Sequence, residues 1–143
     1  MLWGMRPASW LTQYAVAASV FCVLDVIWIG TVAERLYDDR LGPLLADQPR
    51  VGAAVAFYAL FVAGLVYFVV HPAVSAGSGR RALFAGAFFG LVTYATWDLT
   101  NLAVLRDFPA SIVPIDLAWG TFLAAAVSGV TYVVCRRLPG WAR

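Results

Sequence analysis

The run Tyr94-Ala95-Thr96-Trp97-Asp98-Leu99-Thr100-Asn101 gathers a phenol, an indole, a carboxylate, an amide and two threonine hydroxyls in one short stretch. In the helical period, Tyr94, Asp98, Asn101 and Leu105 fall on one stripe and Thr93, Trp97, Thr100 and Val104 on the next, so the polar stripe is expected to face inward. Two further acids stand beside aromatics: Asp25 shares a face with Trp28 three residues on and Phe21 one turn back, and Asp116 precedes Trp119 by the same interval. An acid near the middle of a lipid-spanning helix costs about 2.5 to 3.5 kcal/mol to insert, so it needs partners, a proton or a job. Carboxyl groups that converge in a low dielectric cannot all be charged, and such a site is expected to hold protons or bind a cation. Trp and Tyr faces attract an organic cation. Their N–H and O–H groups equally donate to carboxylates.

The elements that must position these groups are lipid-spanning helices. The chain has 143 residues, 62% of them hydrophobic, and a mean hydropathy of +0.80; soluble domains use about 45 to 50% apolar residues. A span takes about 20 mainly apolar residues, and four fit, over about 11–32, 51–70, 82–105 and 112–134. The expected fold is an all-α membrane protein, one four-transmembrane-helix bundle over residues 1–143 with no soluble catalytic domain. The first apolar run continues beyond Ala15-Val16-Ala17, its only A-x-A pattern, so it is expected to be retained rather than cleaved as a signal peptide.

Met1 to Trp10, with Arg6, Trp3 and Trp10, suits a positive aromatic anchor. Glu34 to Arg50 is the longest connection. There Leu36, Tyr37, Leu41, Leu44 and Leu45 suit a short interfacial helix, broken at Gly42-Pro43 and roofing the pocket, or equally a plain surface loop. His71, the single His, ends the second span and reads as a helix-terminal, interfacial residue. Ala82, Gly86 and Gly90 on the third span and Gly120, Ala124 and Ser128 on the fourth form small-residue stripes that allow close helix approach. They also leave surfaces for a homodimer. Pro114 suits the first turn of the fourth helix, where its missing N–H does no harm.

Charge orients the bundle. Arg6, Arg80, Arg81, Arg136, Arg137 and Arg143 sit on the termini and the second connection without any acid, while Arg35, Arg40, Arg50 and Arg106 share the other connections with Glu34, Asp38, Asp39, Asp47 and Asp107. This bias favours both termini in the cytoplasm. Counted at the helical rise, Asp25, Tyr58 and Asp98 then lie roughly 10 Å below the outer ends of their spans and Asp116 roughly 5 Å below, so every helix brings a polar or amphipathic group to one level. Trp28, Tyr94, Trp97, Asn101 and Trp119 lie within about two turns of it.

Structural readings account for the same residues. Asp116 in a first turn complements the helix dipole. Asp25 with Trp28 suits an intrahelical or interhelical hydrogen bond that fixes packing, Asp98 with Asn101 suits a structural polar clamp between helices, and outer Trp and Tyr are ordinary belt residues. Cys22 and Cys135 fall at different depths, too far apart for a disulfide. Without a CxxC or a second His, no metal site and no cofactor is expected. No nucleic acid partner is expected either.

The pattern Leu24-Asp25-x-x-Trp28-Ile29-Gly30, Tyr37-x-x-x-Leu41-Gly42, Tyr94 to Ala103, and Asp116-x-x-Trp119-Gly120 resembles a bacterial integral-membrane family catalogued as domain of unknown function 2177. The resemblance spans nearly the whole chain. A Tyr is commoner in the family at Trp97 and a Trp at Phe108, swaps that keep an aromatic. It implies a four-span bundle in the bacterial cytoplasmic (inner) membrane and lends no chemistry.

The leading expectation is a multi-pass protein of the lipid bilayer that binds or transports a small molecule or cation, coupled to protons, through an outward-facing pocket. Asp25, Asp98 and Asp116 would be its acids, Tyr58, Tyr94 and Asn101 its hydrogen-bonding groups, and Trp28, Trp97 and Trp119 its walls. The alternatives are a membrane enzyme acting on a lipid or isoprenoid, with one acid protonated and its neighbour as base, and a scaffold or accessory subunit whose acids are structural clamps.

Overall fold

The computed structural model describes residues 6–140, the side chain of Pro43 excepted; the anchor residue Trp3 and the closing Arg143 lie outside them. The described residues form an all-α bundle in which four continuous helical runs, Pro7–Leu41, Val51–Ser75, Gly79–Val104 and Val113–Arg137, are each long and apolar enough to cross a membrane. Their outer surfaces carry Val26, Leu60, Phe68, Phe84, Phe88 and Phe122 in exposed positions. An exterior this apolar is stable facing hydrocarbon and costly facing water.

The first run joins α1 (Pro7–Trp28) to α2 (Glu34–Leu41) through a wide π-helical turn at Ile29–Ala33. Residues 34–41, expected in a connection, therefore prolong the first helix without a break. At about 1.5 Å per residue, 35 residues reach well past a hydrocarbon core of about 30 Å. The projecting end docks instead on the turn before the last helix: Leu36, Tyr37 and Leu41 pack against Phe108, Ile112 and Val113, and the Arg40 guanidinium donates to the Ser111 hydroxyl.

The second run joins α3 (Val51–Leu65) to α4 (His71–Ser75) through a second π-helical turn, Val66–Val70. Pro72 follows directly, and its missing N–H and its ring disfavour regular helical bonding one turn back; the widened turn takes up that mismatch. His71 thus lies inside a continuous helix rather than at its end. Gly77, at φ 62°, closes α4: Ser78 donates its N–H to the Ala73 carbonyl at 3.0 Å and Gly77 to Val74 at 3.1 Å. This paired reversal requires a left-handed residue that glycine supplies without a Cβ penalty. The Ser78 hydroxyl then accepts from the Arg81 N–H at 3.2 Å and starts α5 (Gly79–Val104). α6 (Val113–Arg137) begins with Pro114 and Asp116 in its first turn.

α5 and α6 run antiparallel in the closest approach of the bundle. A Cβ on Gly86 would stand 2.7 Å from the Ala124 carbonyl oxygen, a Cβ on Gly90 would overlap the Gly120 carbonyl, and the Tyr94 ring covers Gly120. The two small-residue stripes therefore face each other within one chain. This corrects the expectation that they leave surfaces for a homodimer: close packing of backbones in lipid uses them up internally. α1 and the second run close the bundle around Ala17, Phe21, Leu65, Val66, Leu123 and Val127.

Candidate functional site

One face of α1 carries Ser9, Gln13, Ala17, Phe21 and Asp25, all buried, at intervals of four. It brings Asp25, 7% exposed, against the second run, where the Tyr58 hydroxyl donates to Asp25 Oδ2 at 2.6 Å. Beside it the indoles of Trp28 and Trp119 stack at 4.4 Å between centroids and 6° between planes. This ties α1 to α6 by an offset aromatic contact worth about 0.5 to 1.5 kcal/mol beyond the area it buries.

Asp116, 3% exposed, accepts from the hydroxyl of Tyr37 on α2 at 2.8 Å. Asp98, 0% exposed, sits on the face of α5 that meets α6. Neither of its oxygens accepts from any N–H or O–H of the ordinary donor groups. Its carboxyl lies close enough to that of Asp116 for the two to interact electrostatically. Two carboxyl groups bond to each other only when one of them supplies an O–H, so a bond between these two would take a shared proton. Asn101 Nδ2 and Trp119 Nε1 are also buried without an acceptor.

Two cavities lie against these groups. One, about 280 Å³, is walled by Tyr37, Phe57, Thr93, Tyr94, Trp97 and Asp116. The other, about 240 Å³, has Asp25, Trp28, Tyr58 and Trp119 on its wall and shares Tyr37, Phe57 and Tyr94 with the first. The acids thus divide between two adjoining hollows, Asp116 on one and Asp25 on the other, rather than surrounding one. Asp98 lines neither. Trp97 borders that cavity at its rim, with 60% of its surface exposed on the outside of the bundle. Tyr94 stands between the acids and walls both hollows.

Tyr37 was expected at most in a segment roofing the pocket, not as a hydrogen-bond partner of its acids. It falls beyond the expected end of the first span, and only the continuation of that helix brings it over α6. At the opposite end, Gln13 donates to the Ser9 hydroxyl at 3.1 Å and lies 3.4 Å from His71 Nδ1. The interval of four from Asp25 back through Phe21 and Ala17 was the signal for that second cluster. Cys22 and Cys135 are free thiols. Among the described residues no group of His, Cys, Asp and Glu has the arrangement of a metal site.

A family model described as "Predicted membrane protein (DUF2177)" matches residues 10–133. No curated protein and no solved structure matches the chain.

Proposed function

Since the chain belongs to the DUF2177 family of predicted membrane proteins, we propose that it acts in a bacterial cytoplasmic membrane, both termini inside, where it binds a small organic cation in exchange for a proton. The observation that carries this reading is Asp98, wholly buried, with neither oxygen hydrogen-bonded and the carboxyl of Asp116 close by. Asp116 also forms the acidic wall of a cavity otherwise made largely of aromatic rings, Tyr37, Phe57, Tyr94 and Trp97. A cation seated among those rings is held by their faces and by the carboxylate. Its positive charge replaces that of the shared proton, which then leaves. The Arg distribution along the sequence supports the orientation.

The test uses purified protein in lipid nanodiscs, titrated with benzyltrimethylammonium in weak buffer while released protons are read with an indicator dye. Saturable binding with proton release is expected. Asp98→Asn keeps the shape of the residue and donates to Asp116 permanently, so it is expected to fold, to release no proton and to bind about 10- to 150-fold more weakly, the equivalent of one lost charge-assisted bond. Wild-type protein that neither binds the probe nor releases protons overturns the proposal.

The Tyr58–Asp25 and Tyr37–Asp116 bonds favour a second reading, an accessory subunit in which the acids are interhelical ties. Failure of Asp98→Asn to insert or fold would support it.

A further inference from the structure

At the end of the bundle remote from the acids, a cavity of about 600 Å³ opens between α4 and the start of α5, with His71, Ser75 and Arg81 on its wall beside Tyr67 and Phe68. We propose that it is a binding site for the headgroup of an anionic phospholipid, a singly charged phosphodiester such as that of phosphatidylglycerol.

Three donors converge there. The Gln13 amide nitrogen donates to Ser9 and faces His71 Nδ1 at 3.4 Å, so Nδ1 accepts and the imidazole carries its N–H on Nε2. Nε2 lies 3.5 Å from the Ser75 hydroxyl, at the cavity wall. Arg81 supplies one guanidinium, and among the described residues no carboxylate forms an ion pair with it. Every Asp and Glu of the chain lies on the connections or helix halves toward the other end, while Arg6, Arg80, Arg136 and Arg137 lie at this one. An anion is therefore welcome here, and the ammonium of a zwitterionic headgroup finds no acid.

The apolar half of the ligand is equally provided for. Phe68 is 65% exposed and Tyr67 39%, both on the cavity wall, and Phe84, 68% exposed, lies under the Arg80 guanidinium at 6.0 Å. Acyl chains can lie along these rings while the phosphate meets His71, Ser75 and Arg81. A single guanidinium with two neutral donors matches one phosphodiester charge.

The experiment measures lipid retained by the full chain in detergent, by native mass spectrometry, during titration with dioleoylphosphatidylglycerol or dioleoylphosphatidylcholine. Wild type is expected to prefer the anionic lipid by about tenfold or more, as a charge-assisted bond implies. Arg81→Gln is expected to abolish that preference, Arg81→Lys to keep most of it, and Arg136→Gln to leave it unchanged. Ser75→Ala, which removes an exposed hydroxyl and carries the test should Arg81→Gln fail to fold, is expected to weaken anionic binding by about fivefold. An unaltered preference in Arg81→Gln, or an unaltered affinity for the anionic lipid in Ser75→Ala, overturns the site, and an equal loss of preference in Arg136→Gln overturns it in favour of diffuse charge. Displacement of the lipid by millimolar inorganic phosphate would reassign the cavity to a soluble anion.

Discussion

Replacing Gly90 by alanine pushes a methyl group into the backbone of α6. An ideal Cβ there overlaps the Gly120 carbonyl oxygen and stands 2.7 Å from its carbon and 2.8 Å from the Ala124 Cβ. Non-bonded carbons settle at about 3.5 to 4.0 Å, so the two helices must part locally by about 1 Å. Overpacking of this kind costs about 1 to 3 kcal/mol, against which the better helix propensity of alanine returns about 1. Gly129→Ala on the same helix pair is the matched control. It gains the same propensity, and its Cβ meets at 2.7 Å only the Cδ2 of Leu83, the free end of a flexible side chain. The expected difference between the two variants is thus about 1 to 3 kcal/mol, measured by SDS-driven unfolding in mixed micelles with far-UV circular dichroism. The site should report the same event. Gly90 lies two helical turns before Asp98, and parting α5 from α6 by about 1 Å takes a carboxyl–carboxyl contact beyond hydrogen-bonding range; proton release on binding benzyltrimethylammonium is therefore expected to fall in Gly90→Ala alone. Equal unfolding of the two variants would refute the idea that backbone contact between these helices holds the acid pair.

Tyr37→Phe removes the hydroxyl donor of a buried carboxylate and is expected to cost about 1 to 3 kcal/mol in the same unfolding assay. Tyr58→Phe is expected to behave likewise, and a double-mutant cycle with Asp25→Asn should give a coupling of about 0.5 kcal/mol or more, as residues in direct contact do. Trp28→Leu and Trp119→Leu are expected to be non-additive by about 0.5 to 1.5 kcal/mol, the value of a stacked pair beyond burial; additivity would show that the stack contributes only area.

Much of the bundle was legible because lipid imposes simple rules. Four apolar runs, small residues every four positions and acids set among aromatics can be read by counting, and the inward face of Tyr94, Asp98 and Asn101 follows from the helical period. Which stripes meet which could not be read. The glycines of α5 suit a second copy as well as α6, and only the antiparallel register pairs Gly90 with Gly120. The roles of Asp25 and Asp116 were obscured for a similar reason. Each acid takes its hydroxyl from a Tyr on another helical run, and a sequence shows which groups share a depth without showing which of them touch. Gln13 with His71 escaped notice because the pair is distant in sequence and each residue alone is ordinary.

The wide turn at Ile29–Ala33 sets the angular phase of everything after it. Tyr37 comes twelve positions after Asp25; at about 100° per residue an unbroken α-helix would leave the two about 120° apart around the axis. One position absorbed by the broader loop leaves eleven regular steps and an offset of only about 20°. Losing any single residue from that loop would therefore swing Leu36, Tyr37 and Leu41 away from Phe108 and Asp116 together, though every touching side chain were kept. The segment contributes rotation, and an alignment gap of one there would matter more than most substitutions nearby.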